Sequence, residues 1–325
     1  QTIYIDCLYS FMYSFVIMSQ NYIKHIQGLL SQSGWSQQEL ASRLGVTFAA
    51  LNRWVKGHSK PHPRRILTIE KLYRQTVAFA GLDDGEVLRI VRGSEKFRDR
   101  QLWKKLRKHE KLQEDLLLEH TYNSSTIEGT TFTKHETETV IFSRKTIRDK
   151  TFTEHLEVTN HAAVLRSILA GDIDLPVSEK LICEIHQRLM QGIRKDAGRY
   201  SKLHRAIRGV DLTSTHPKDI PEEMAGLVVR WKKHPKITIR EITVFHAEFE
   251  AIHPFGDGNG RVGRLVMALQ CLQNGFPPII VENSRKAEYY EVLEYSQTRA
   301  EAPFIAFLAD ELEQTCKILK KHRLK

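Results

Sequence analysis

The chain has 325 residues, 41% of them hydrophobic and 27% charged, with a formal charge of +10. Length and balance fit a globular chain with room for two domains and exclude a fibrous or largely disordered one. The four cysteines, Cys7, Cys183, Cys271 and Cys316, are dispersed without a C-x-x-C pair, which argues against a zinc site or a disulfide framework and for a reducing cytoplasm.

Residues 1–20 are an uncertain hydrophobic extension. They carry Asp6, lack a basic start and are too short and polar for a membrane span, so no membrane partner is expected. Met18-Ser19-Gln20 reads as a start, which makes an over-extended reading frame the leading account, with a signal peptide or interfacial anchor as the alternative. Residues 21–77 then read as a small helical domain. Between residues 21 and 76, nine Lys/Arg stand against Glu39 and Glu70, a nucleic-acid footprint or a solvated basic face. Ser36-x-x-Glu39 is a capping box that starts a helix at Gln37, and Gly45 stands where it should stop. Thr47 caps a second helix through Leu51 and Trp54 to Lys56, followed by Gly57, Pro61 and Pro63. Ala41, Gly45 and Leu51 are spaced as a helix-turn-helix requires, and in this the segment resembles the Cro-like repressor family. The resemblance implies Thr47, Phe48, Ala49, Asn52 and Arg53 on or near a DNA groove, with Lys56 and Lys60 on phosphates. A protein-docking or dimerisation module is the alternative.

Residues 78–108 read as a helical connection, 109–318 as the second domain and 319–325 as a basic tail. A charged helix is expected over Gln101–Tyr122, further helices from caps at Thr133 and Thr153, and another over Val177–Gly192. Around Gly209–Thr213 a short strand is expected, and with it a small β-hairpin flap in an otherwise all-α bundle.

Ile242, Phe245, Phe249 and Ile252 repeat at helical spacing and end at His253, while Val262, Leu265, Val266, Leu269 and Leu272 give a second apolar face. The glycine-rich turn between them, Gly256-Asp257-Gly258-Asn259-Gly260, therefore opens a helix, where free N–H groups and the dipole favour an anion. Arg261 and Arg264 can fork phosphate oxygens, Asp257 can hold Mg²⁺ beside a phosphate, and His253 can take a proton from an attacking hydroxyl.

This stretch resembles the Fic family signature H-x-F-x-[DE]-G-N-G-R-x-x-R, with every specified position matched: His253, Phe255, Asp257, Gly258, Asn259, Gly260, Arg261 and Arg264. The resemblance implies transfer of AMP from ATP to a Ser, Thr or Tyr hydroxyl of a target protein. His253 is then the base, Asp257 the Mg²⁺ ligand, Asn259 and the loop amides of Gly256, Gly258 and Gly260 the holders of the α-phosphate, and Arg261 and Arg264 the ligands of the outer phosphates. Thr213, Ser214, Thr215 and His216 would belong to a flap that aligns the target by main-chain pairing.

Ser124-x-x-x-Glu128-Gly129 reads locally as a capped turn and resembles the inhibitory motif [ST]-x-x-x-E-[GN] of the same family. It implies that Glu128 pairs with Arg264 and denies it to ATP. Two other functions stay open: a DNA-binding regulator whose Fic-like domain senses nucleotide, and an enzyme that removes AMP. A homodimer also stays open.

Overall fold

The computed structural model describes residues 22–79, 81–203, 214–298 and 300–322, in two compact units, Gln1–Asp83 and Asp84–Lys325.

In the first unit, α1 (22–32) and α2 (Gln37–Arg43) lead through a turn to α3 (Phe48–Val55) and α4 (Pro63–Tyr73), which runs into a π-helical turn, Arg74–Ala78. The local chemistry is that of a helix-turn-helix. Ser36 and Glu39 close the capping box on both sides, Thr47 accepts from the Ala50 N–H, and Gly45 takes φ 62° in the turn. Leu40, Ala41, Leu44, Leu51 and Trp54 face a core completed by Ile26, Leu29, Ile66 and Ile69. Arg65 of α4 donates to the Leu44 carbonyl at 2.8 Å, satisfying an acceptor that the end of α2 leaves without an intrahelical partner.

The second unit runs α5 (Asp84–Ser94), α6 (Leu102–Leu106), α7 (Glu110–Ile127), α8 (Lys134–Ser143), α9 (Phe152–Ala170) and α10 (Glu179–Leu189), then α11 (Ile220–Lys233), α12 (Ile239–Ile252), α13 (Asn259–Gln273), α14 (Lys286–Thr298) and α15 (Ala302–Lys321). Helix α13 is its axis. Nearly all of its residues are buried, because α7, α9, α10 and α12 pack around it, and a helix covered on all sides needs no polar face. Arg264 and Gln270 are therefore polar groups inside a core.

The structure corrects several expectations. The charged helix is two helices: the chain breaks at Arg107–His109, and the His109 ring accepts from the Leu112 N–H to start α7. Helix α9 is capped by Thr151, not Thr153, because Glu154 stands three residues beyond Thr151 and closes a box with it. No strand occurs among the described residues, which form an all-α bundle with no β-hairpin, contrary to expectation; the strand expected around Gly209–Thr213 itself lies outside them. Residues 204–213, including Thr213, lie outside the described residues. Ser214–His216 run without regular structure into a turn, in which the His216 carbonyl accepts from the Asp219 N–H and delivers the chain to α11. Thr151→Ala should lower stability by about 1 kcal/mol, whereas Thr153→Ala should be near neutral; denaturant titration of both distinguishes the two caps.

Candidate active site

Two buried helices hold the loop between them. Phe249 and Ile252 anchor the end of α12, which is capped by His253 in the left-handed conformation, φ 52° and ψ 56°. That is an uncommon state for a residue with a Cβ, and it turns the imidazole off the helix at the mouth of the loop. Phe255 is fully buried and stacks on His186 with ring centroids 3.8 Å apart. The Asn259 side chain clamps the turn, its Oδ1 accepting from the Phe255 N–H and its Nδ2 donating to the Phe255 carbonyl, both at 2.8 Å. Gly258, at φ 81°, is the N-cap of α13 and brings no side-chain acceptor. The first-turn amides of α13 are thus left for a ligand, as an anion site at a helix start requires.

Arg264 lies one turn further in, with 2% of its side chain exposed. Its Nε donates to Ser124 Oγ at 2.9 Å, and its Nη2 donates to the Ser124 carbonyl at 3.0 Å and to Glu128 Oε1 at 2.7 Å. Glu128 is the C-cap of α7, and Gly129 follows it at φ 105°. Burial opposes ionisation of Glu128, yet the Arg264 guanidinium outweighs it and holds the carboxyl below its usual range. Burial likewise opposes the charge of Arg264, and Glu128 more than restores it. The approach is close enough that a Cβ at Gly260 would lie 2.2 Å from Glu128 Oε1. Glycine at that position is therefore needed for the carboxylate to reach the guanidinium.

The structure thus gathers the sequence-named residues of α7, α12, α13 and the intervening loop into one site. Arg261 is buried and pairs with Glu157 at 2.8 Å. Asp257 accepts from the Gly258 N–H at 2.7 Å and keeps 53% of its side chain exposed. Burial pushes the pKa of His253 down; the Glu250 carbonyl and the carboxylates of Glu128 and Asp257 pull the other way without reversing it. Its imidazole is neutral near pH 7 and able to accept a proton.

Whether the site fits a nucleotide and its metal can be judged from its unpaired atoms. Arg264 Nη1 and Arg261 Nε are buried without hydrogen-bond partners, and buried donors of this kind call for an acceptor. A phosphate on the uncapped start of α13 meets that need. Among the described residues no group of three or more His, Cys, Asp and Glu could hold a metal by itself. Asp257 offers the single exposed carboxylate that Mg²⁺ takes when phosphate and water complete its shell.

Sequence reasoning missed three residues. His186 accepts from the Gly198 N–H through Nδ1 at 2.8 Å, so Nε2 carries the proton and donates to the Asp257 carbonyl at 3.1 Å. Burial, its largest influence, lowers its pKa to about 4, so this bridge under the loop is uncharged. A lone histidine in a helix gives no sign of such a role. Glu157, the partner of Arg261, sits 104 residues before it and is equally silent. Glu250 is the third: it is buried beside Gly263, whose added Cβ would lie 2.4 Å from Glu250 Oε1 and 3.0 Å from His246 Nδ1. His246 in turn contacts the Tyr289 hydroxyl at 2.8 Å.

A Fic/DOC family model matches residues 176–271, and a helix-turn-helix model matches residues 28–79. The chain thus carries a Fic-family domain with a helix-turn-helix ahead of it. It is similar to the protein adenylyltransferases Fic of Drosophila grimshawi and Drosophila erecta, each 27% identical over 215 residues. Those alignments take in 62% of this chain but 43% and 42% of the two relatives, so the chain spans less than half the length of the curated relatives it matches. A crystal structure of a Fic family protein from Desulfovibrio desulfuricans superposes with a TM-score of 0.60 at 27% identity, covering 77% of this chain and 76% of that one. Fic-1 from C. elegans reaches 0.61 at 20% identity, covering 92% of this chain and 97% of that one, a likeness of fold alone.

Burial pushes the Glu250 carboxyl up to about 8; Arg264 lowers it and Glu128 raises it further. The unfolded chain ionises this group near its ordinary value of 4.5, so the folded state binds the extra proton and loses stability as pH rises from that value toward 8. Glu250→Gln mimics the protonated acid. It should match wild type at pH 4–5 and exceed it at pH 8, by about 4 kcal/mol. Equal denaturant midpoints at both pH values would show that Glu250 carries no buried proton.

Proposed function

We propose that the chain is a protein adenylyltransferase that moves AMP from ATP to a Ser, Thr or Tyr hydroxyl of a target protein and is held in a low-activity state by Glu128. The observation that carries this reading is the clasp on Arg264. A guanidinium buried at the start of an anion-binding helix is engaged by a carboxylate from another helix, beside a neutral histidine. The names of the Drosophila relatives, protein adenylyltransferase Fic, support the same activity.

Bound MgATP supplies the α-phosphorus under attack and the pyrophosphate that leaves. The chain's own contribution is orientation and proton transfer. Gly258, Asn259 and Gly260 would present the α13 amides to the α-phosphate, Arg261 and Arg264 would fork the outer phosphates, and Asp257 would hold Mg²⁺. His253 would accept the proton of the target hydroxyl as it attacks, and its depressed pKa keeps it free to do so at neutral pH. With Glu128 on Arg264 the outer phosphates lose one fork, and the α-phosphate is not lined up with the hydroxyl. Ser124 bonds the same guanidinium and reinforces the hold.

Glu128→Gly should raise self-modification by labelled ATP about tenfold or more, the factor that follows from losing at least 1.4 kcal/mol of competing interaction. Adding His253→Ala should abolish the label. No gain from Glu128→Gly would remove the brake from the account, and label surviving in the double variant would remove His253 as base.

A second reading applies to the first unit and rests on the outward side of α3. Thr47, Phe48, Arg53 and Lys56 are exposed and Asn52 partly so, while Leu51 and Trp54 turn to the core. This is the disposition of a helix that enters a DNA groove. If the unit binds duplex DNA, Arg53→Ala with Lys56→Ala should lower the slope of log K against log salt by about 2. Fluorescence anisotropy with a random duplex measures it, and an unchanged slope takes these two residues off the phosphates.

A further inference from the structure

The catalytic loop has a basic neighbour that takes no part in holding Arg264. Helix α10 ends at Leu189, and the turn beyond it carries Arg194, Lys195 and Arg199. Together with Arg188 they wall a pocket of 590 Å³. Two acids accompany these cations: Glu184, which lines the same pocket and lies 4.0 Å from the exposed Lys180, and Asp196, which accepts two hydrogen bonds from Arg194 at 2.7 and 2.8 Å. Arg188, Lys195 and Arg199 are exposed and have no carboxylate partner among the described residues. With Arg194 paired to Asp196, three cations against the single carboxylate of Glu184 leave the concavity net positive.

The place of this pocket gives the potential a use. The Arg194–Asp196 fork lies against the loop, for a Cβ at Gly256 would stand 2.9 Å from Arg194 Nη2 and 3.1 Å from Asp196 Oδ2. Gly256 lies between His253 and Asp257 in the chain, and the segment leaving the pocket is pinned to the same loop by the Ser201 N–H on the Pro254 carbonyl at 2.8 Å. An acidic segment seated in the pocket would therefore hold its flanking residues at the loop that bears the proposed base.

We propose that this pocket docks the target protein, taking Asp or Glu side chains that flank the hydroxyl to be modified. The proposal rests on the adenylyltransferase reading for its purpose but not for its binding. A half-open concavity bounded on one side by a fork against the loop suits a few carboxylates of a peptide better than a nucleic-acid backbone, which needs cations spread along a track. Three exposed pairs acting together give on the order of tenfold to a hundredfold in affinity at low salt, largely lost once the Debye length shrinks to a few ångströms.

The test uses full-length protein and two synthetic peptides, each with one Ser, one Thr and one Tyr, flanked by Glu in one and by Gln in the other. In the transfer arm, the Glu128→Gly enzyme should show a KM for the Glu peptide at least about tenfold below that for the Gln peptide at low salt. Arg188→Glu with Lys195→Glu and Arg199→Glu should erase that preference through KM rather than kcat, and the triple Gln variant should give an intermediate value. In the binding arm, a fluorescein-labelled Glu peptide is titrated into wild-type protein without ATP, with inorganic phosphate and a single-stranded oligonucleotide as competitors. The same Kd in wild type and both triple variants overturns the proposal, whatever the transfer arm reads. Binding of the oligonucleotide that is lost in the triple variants, with the two peptides bound alike, overturns it in favour of a nucleic-acid site. Peptide binding lost in the triple variants, with no label transferred to any protein or peptide, upholds the acidic-peptide site and sinks the adenylyltransferase reading.

Discussion

A guanidinium with 2% of its surface exposed cannot stand without a counter-charge, and in this chain Arg264 finds one in Glu128. Removing one partner of such a buried pair costs about 3–5 kcal/mol. Whatever draws Glu128 away must therefore bring negative charge of its own to the same spot. The surrounding structure serves that requirement. Helix α7 ends at Ile127, so that Glu128 caps it, and Ser124, on the inward face of the preceding turn, adds a hydroxyl and a carbonyl to the same guanidinium. Gly260 leaves the space through which the carboxylate approaches.

The loop and the clasp come from different parts of the chain, and their separation matters. The loop is rigid by construction: Asn259 closes it from within, His186 braces the Asp257 carbonyl from below, and Phe255 fills the core beneath it. None of these contacts involves α7. Replacing the carboxylate on Arg264 by another anion would therefore leave His253 and the helix start in place. A layer of buried polar groups lies behind α13. Glu250 and His246 crowd Gly263, and His246 meets Tyr289. Desolvation keeps His246 and Glu250 neutral at physiological pH, so they surround the guanidinium without competing for it as ions.

Positive charge is spent in two places that the buried clasp does not use. One is the exposed side of α3 in the first unit; the other is the pocket after α10. In the second unit several cations are neutralised locally, as Arg98 is by Glu95, Arg230 by Glu248 and Arg285 by Glu288, Asp310 and Glu311. Arg188, Lys195 and Arg199 have no such pair among the described residues and line one pocket together.

Much of this was readable in the sequence because the governing interactions are local. The caps at Ser36, Thr47 and Thr133, the helix-turn-helix spacing, and the loop from His253 to Arg264 each depend on residues a few positions apart, where backbone geometry and hydrogen-bond chemistry leave few choices. Pairing of Ser124 and Glu128 with Arg264, 140 and 136 residues away, was reached only through resemblance to a family motif, since no local rule links α7 to α13. Where several local signals competed, the complete cap decided: α9 begins at Thr151 because Glu154 completes its box, and the charged run after Gln101 breaks into two helices where the His109 ring caps α7. His186, Glu157 and Glu250 lay beyond reach for a related reason. Each is an ordinary helical residue whose significance comes from what another helix places against it. Sequence by itself determined the chemistry available at the loop and the helices that carry it. Only the tertiary structure decided which charges meet, because burying α13 on all sides forces its arginines to take partners wherever the packing supplies them.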